Sequence, residues 1–187
     1  MEKFKEYEEL LKPDIRTNMF VQVDRKTGET SDFTLKDVYD EIEFVKLDEF
    51  YVNNKDVISQ FNVAKNLAIY TWFSYSFHQI AEMKAYSVVE MALRDIFNNY
   101  KMSLNHLIKR AVKEKLLIND EFLHLKNSDY YGSFVDNLPL IISKFRNSLA
   151  HGSTMLDNES LQTMHICKDI INQLYKNSNT KELKVKS

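Results

Sequence analysis

The chain has 187 residues, is 44% hydrophobic and carries a formal net charge of −2, which is enough for one sizeable core and too little for two comfortable domains. Three glycines, two prolines and a single cysteine exclude a Gly-rich phosphate loop, collagen, a propeller, a disulfide scaffold and a thiolate zinc site, and they favour long helices. The charge is uneven: residues 1–50 hold 14 acidic and 8 basic side chains, whereas residues 51–187 hold 13 and 17, so the second part is the one suited to an anionic partner.

The opening MEKFKEYEEL lacks the apolar core of a signal peptide, and a cytoplasmic location is expected. Residues 2–11 predict a short charged helix stopped near Pro13. Met19 to Val23 and Thr30 to Phe33, with Gly28 between them, predict a hairpin. Thr34 followed by Asp37 resembles a capping signature for a short helix from Leu35 to Ile42. Residues 1–54 have little core of their own and form an expected appendage of short helix, β-hairpin and short helix.

A helical body is expected over residues 55–177. Lys55 to Lys101 contains neither glycine nor proline, with one apolar stripe through Val57, Phe61, Ala64, Leu67 and Ala68. A second runs through Met83, Tyr86, Val89, Leu93, Ile96 and Phe97. One helix of this length does not fit a compact domain, so a break is expected around Tyr75 to Gln79. The apolar run from Leu67 to Phe77 is too short to span a bilayer, and no membrane partner is expected. Leu104, Leu107, Ile108, Ala111 and Leu116 predict a further helix with Ser103 as its cap. Asp120 to Leu125 suggests a short piece and Asn127 to Gly132 a loop. Phe134, Leu138, Ile141, Ile142, Phe145 and Leu149 form a clear amphipathic stripe ending at Gly152. A last helix follows from Asn158 to Tyr175, then a polar tail over residues 178–187. The fold class is all-α, an up-and-down bundle of four or five helices with a small hairpin appendage.

Chemistry concentrates in Lys144-Phe-Arg-Asn-Ser-Leu-Ala-His-Gly152. With Phe145 taken as the centre of the stripe, Arg146 falls about 100° to one side, His151 about 120° to the other, and Asn147 roughly opposite. Asn147 and His151 are four apart, so an amide hydrogen bond can orient the imidazole. Arg146 and His151 diverge by about 140° on one ideal helix, and a symmetric dimer would bring such pairs together. Arginine supplies a permanently charged fork for phosphate oxygens, and histidine gives and takes protons near neutrality. Together they can cleave RNA without metal or cofactor: His151 moves the proton and Arg146 stabilises charge on the phosphorus. Glu90 interrupts an apolar run; it can pair with Arg94 one turn on, or hold Arg146 in place. Lys109, Arg110, Lys113 and Lys144 are candidate nucleic-acid contacts, with a solvated helix face as the ordinary account. His165 and Cys167 lack the companions of a metal site, and Cys167 reads as a small buried hydrophobe.

Arg146-Asn147-Ser148-Leu149-Ala150-His151 resembles the R-x4-6-H signature of HEPN domains (higher eukaryotes and prokaryotes nucleotide-binding), including the polar residue after the Arg. Ala85 to Arg94 is similar to the long helix that such domains place before it. The resemblance spans roughly residues 60–175. It implies an all-α bundle, a homodimer with both motifs lining one cleft, and a metal-independent ribonuclease of toxin–antitoxin, phage-defence or RNA-processing type. An antitoxin or inhibitor protein is then an expected partner. Ser153 stands where a toxin subgroup carries tyrosine, so adenylylation at that position is not implied. The alternative is a non-catalytic helical module that binds a nucleotide or a partner protein through the same cleft.

Overall fold

The computed structural model describes residues 4–24, 26–122, 133–150 and 159–185. It is an all-α bundle with one small antiparallel hairpin near its N-terminus. Strands β1 (Val21–Val23) and β2 (Thr30–Asp32) pair Val21 with Asp32 and Val23 with Thr30. The turn between them is built by Asp24, whose carboxylate accepts from the Lys26 and Thr27 amides, and by Gly28 at φ +74. That angle is one L side chains rarely adopt, which is why glycine stands there.

Thr34 and Asp37 form a reciprocal capping box at the start of α1 (Leu35–Phe44), each satisfying a backbone amide of the first turn. Asn54 caps α2 (Lys55–Tyr70) by accepting from the Asp56 and Val57 amides. Residues 71–76 break the long apolar run, close to the expected place, and α3 (Phe77–Phe97) folds back along α2, with Lys84 hydrogen-bonded to Gln60. α4 (Leu104–Lys113), α5 (Phe134–Ala150) and α6 (Ser160–Val185) complete the bundle. Ser103 does sit at the start of α4, but its hydroxyl pairs with His106 instead of a backbone amide.

α3 is the centre. It packs against α2, α4, α5 and α6, and Ala81, Ala85, Val88, Val89, Ala92 and Leu93 are all buried. Small residues on several faces let four neighbours approach one axis, and each buried Val or Leu contributes about 1.5–3 kcal/mol through loss of hydrated apolar area. No helix among the described residues is long and apolar enough to cross a membrane.

Two expectations change. The N-terminal helix is one 3₁₀ turn, Tyr7–Glu9, with no buried residue; Phe4, Tyr7 and Leu11 stay exposed with nothing to pack against, so the nucleation cost of a helix is not met. The polar tail is helical up to Val185, because α6 continues well past Tyr175. Asn177 donates to the Leu116 carbonyl, tying that extension to the end of α4, and the Ser178 and Thr180 hydroxyls bond back to carbonyls of their own helix. Within the segment 1–54, Ile42, Val45 and Val52 belong to the common core.

The appendage is fastened through Asp14. Its amide donates to the Trp72 carbonyl, and its carboxylate accepts from the Tyr75 amide at 3.0 Å and from the Arg16 guanidinium at 2.8 Å. Arg16 in turn lies over the Tyr75 ring. The Arg16 side-chain hydrogen bond, aided by the Tyr75 amide, holds the Asp14 carboxyl far below the usual carboxylate range. Asp14→Ala is expected to cost about 1–3 kcal/mol in urea unfolding, since it leaves the Tyr75 amide unpartnered. A depressed folded-state pKa gives stability that is complete above the unfolded carboxyl pKa of about 4 and drains away as pH falls below it. The wild-type urea midpoint should therefore decline more steeply than that of Asp14→Asn as pH falls below about 4.

Candidate functional site

Arg146 lies four residues beyond Ile142 and eight beyond Leu138, about 40° and 80° round the helix. It continues the face that α5 buries against α3 and α4, where Val135, Leu138 and Ile142 are enclosed. Phe145 is not the centre of that face, being 45% exposed. The apolar residues of α5 cover a wider arc than its neighbours do, so the sequence stripe points between the buried side and the open one. Arg146 is half-buried as a result, and Asn147 is exposed. His151 and Gly152 lie outside the described residues.

The Arg146 Nη2 atom is 3.8 Å from the Glu90 Oε2 atom on α3. The other Glu90 oxygen accepts from Arg94 Nη2 at 2.6 Å and Nε at 3.2 Å. Arg94 also donates to the Tyr100 carbonyl. Glu90 thus meets both arginines, the intrahelical one tightly and the one on α5 loosely. With its side chain only 18% exposed, a carboxylate in this position needs such partners to offset its desolvation.

A cavity of about 340 Å³ opens beside this pair, lined by Glu90 of α3, by Ser103, Leu104 and Asn105 at the start of α4, and by Ser143, Arg146 and Asn147 of α5. Asn105 braces its wall by donating to the Pro139 carbonyl. The Ser143 hydroxyl is buried with no hydrogen-bond partner among the described residues. Sequence reasoning passed over Ser143 and Asn105. Ser143 had a readable signal, since it precedes Arg146 by three and so shares its face; Asn105 had none.

The candidate basic contacts are not gathered here. Lys109 and Lys113 are exposed on α4, Lys144 is exposed on α5, and none of them is among the described lining residues. Arg110 is occupied by Glu114 at 2.7 Å and lies over the Phe97 ring. Cys167 is fully buried, and burial pushes its thiol well above the usual range, which makes it unreactive.

No family model matches the chain, and neither the curated proteins nor the solved structures give a match. What the site can do rests on its own side chains. Arg146 is 40% exposed, so its guanidinium can contact an anion while Glu90 stays within reach of it. Asn147 and Ser143 add hydrogen-bonding groups on adjoining sides of the same helix.

Double-mutant cycles should rank the two ion pairs. Glu90 with Arg94 is expected to couple by about 0.5–1 kcal/mol, and Glu90 with Arg146 by no more than a few tenths, given its looser contact and greater exposure to solvent. Raising the salt concentration should weaken the second more than the first.

Proposed function

We propose that the chain is a HEPN-like, metal-independent endoribonuclease that acts as a homodimer, with His151 moving protons and Arg146 holding the scissile phosphate. One observation carries this reading beyond the motif. Arg16, Arg94 and Arg110 each lie within 2.8 Å of a carboxylate oxygen. Arg146 does not: its nearest recorded carboxylate contact is the 3.8 Å approach to Glu90, and it lines an open cavity. It is the described arginine best suited to take a phosphate.

Chemically, attack of a ribose 2′-hydroxyl on the adjacent phosphorus places negative charge on the nonbridging oxygens. A directed guanidinium stabilises that charge more in the transition state than in the ground state. The proton leaving the 2′-hydroxyl and the one gained by the departing 5′-oxygen need a group that titrates near neutrality, the role assigned to His151. Asn147 is the polar residue that can orient that imidazole. A second copy would bring together the Arg146 and His151 groups that diverge round one helix, and Phe145, next to Arg146 and 45% exposed, leaves α5 with apolar surface for that contact.

Cleavage of a mixed RNA pool by the purified protein in excess chelator is the direct test. Arg146→Ala and His151→Ala are each expected to lower the rate by at least about 10²-fold with unfolding midpoints little changed. Arg146→Lys should fail to restore it, since a point charge lacks the planar fork. A Phe145→Asp variant is expected to sediment as a monomer and to lose cleavage. Cleavage that survives His151→Ala would overturn the mechanism, and binding of nucleotide without any cleavage would favour a non-catalytic module.

A further inference from the structure

A second cavity, of about 230 Å³, lies where the appendage closes over the bundle. Its wall is apolar: Phe20 and Phe33 from the hairpin, Ile42 from α1, Ala68 from α2, Trp72 from the α2–α3 turn and Leu161 from α6. Phe33 is the hub of its aromatic side, with ring centroids 6.2 Å from Phe20 and 6.4 Å from Trp72. A dry, apolar space of about 150 Å³ already admits benzene, so this one accommodates a single ring with a short side chain.

The polar groups around it are mostly engaged. The Thr17 hydroxyl donates to the Asp14 carbonyl at 2.6 Å, that of Thr71 donates to the Ala68 carbonyl at 2.7 Å, and His78 Nδ1 pairs with the Ser160 hydroxyl at 2.6 Å. Glu41 differs. It stands at the exposed rim with no hydrogen bond recorded to another described residue, and burial of its carboxyl together with the nearby Asp37 raises its pKa above the ordinary glutamate range. A carboxylate in that setting gains from a cation beside it.

We propose that this cavity binds a small aromatic amine, its ring between Phe33, Trp72 and Leu161 and its ammonium group at the Glu41 carboxylate. Small ligand sites combine mostly apolar walls with a few placed polar groups that set orientation, and here the one such group available is anionic. The site is independent of the Arg146 cavity.

Trp72 is the sole tryptophan of the chain, and its emission therefore reports on the cavity directly. The intact protein is titrated with 2-phenylethylamine, 2-phenylethanol and phenylacetate, probes that leave selectively excited tryptophan as the emitter. Saturable shifts are expected for the amine and the alcohol, with the amine tighter by about fivefold, the worth of a partly exposed ion pair, and phenylacetate weakest. Glu41→Gln should bring amine and alcohol together. Ala68→Leu, which fills the space, should abolish saturation while far-UV circular dichroism stays unchanged; Val38→Phe, at a half-buried lining position, serves the same purpose if Ala68→Leu does not fold. A linear response to all three probes, saturation that persists in a folded filled variant, or equal affinity for amine and alcohol in the wild type overturns the proposal.

Discussion

The bundle is built on α3, which must meet four other helices, α2, α4, α5 and α6, and which keeps only the side of Ile80, Met83 and Ser87 for solvent. Alanine and valine fill most of its inward positions, where they let those neighbours approach closely, and Glu82 and Tyr86 are buried among them. The polar residues of α3 find partners on their own helix and on its neighbours. Asp95 accepts from the Tyr175 hydroxyl on α6 at 2.5 Å. Glu90 takes Arg94 on its own helix and approaches Arg146 on α5. The candidate site is thus a by-product of crowding: a carboxylate placed where solvent is scarce draws in the nearest cation, and that cation happens to border an open cavity.

The appendage follows a similar logic from the other end of the molecule. A two-stranded hairpin of three-residue strands has no independent stability, and every residue of β1 and β2 is exposed. It is held from outside, by Asp14 on the α2–α3 turn, by Lys5 donating to the Phe73 carbonyl, and by the Phe20, Phe33 and Trp72 rings. The six residues that break the long apolar run therefore have two jobs. They reverse the chain between α2 and α3, and their backbone groups supply the sockets for the N-terminal segment.

What the sequence shows and what it hides divide along the range of the interaction involved. The Gly28 turn and the Thr34–Asp37 capping box were legible because each is decided within a few residues, and the bundle followed from helical periodicity without breakers. The N-terminal turn and the helical tail were not legible. Charged residues 2–11 look like a helix to local rules and have nothing to pack against, while residues after Tyr175 look frayed and are anchored by Asn177 to Leu116, 61 positions earlier. The site behaves likewise. Arg146 and Glu90 could be singled out by type and spacing, yet their contact depends on how α5 crosses α3, and the misplaced centre at Phe145 hid that Arg146 faces inward.

For the proposed phosphate contact, the distance between Glu90 and Arg146 matters more than their pairing does. At 2.6 Å, as with Arg94, a guanidinium gives its donors to the carboxylate, and an incoming phosphate would have to displace a formed hydrogen bond. At 3.8 Å the charges still attract, because Coulomb energy falls only as the inverse of distance, whereas the hydrogen bond, which needs close and linear contact, is lost. Arg146 is therefore held near the carboxylate without being consumed. One carboxylate shared by two guanidinium groups also leaves this group of three with an excess positive charge, carried by the more exposed Arg146 and so sensitive to salt. Under the proposed reading, a phosphate entering the cavity would find the Arg146 donors unspent, and the guanidinium would act on the reaction only so far as it meets the developing charge more closely in the transition state than in the ground state.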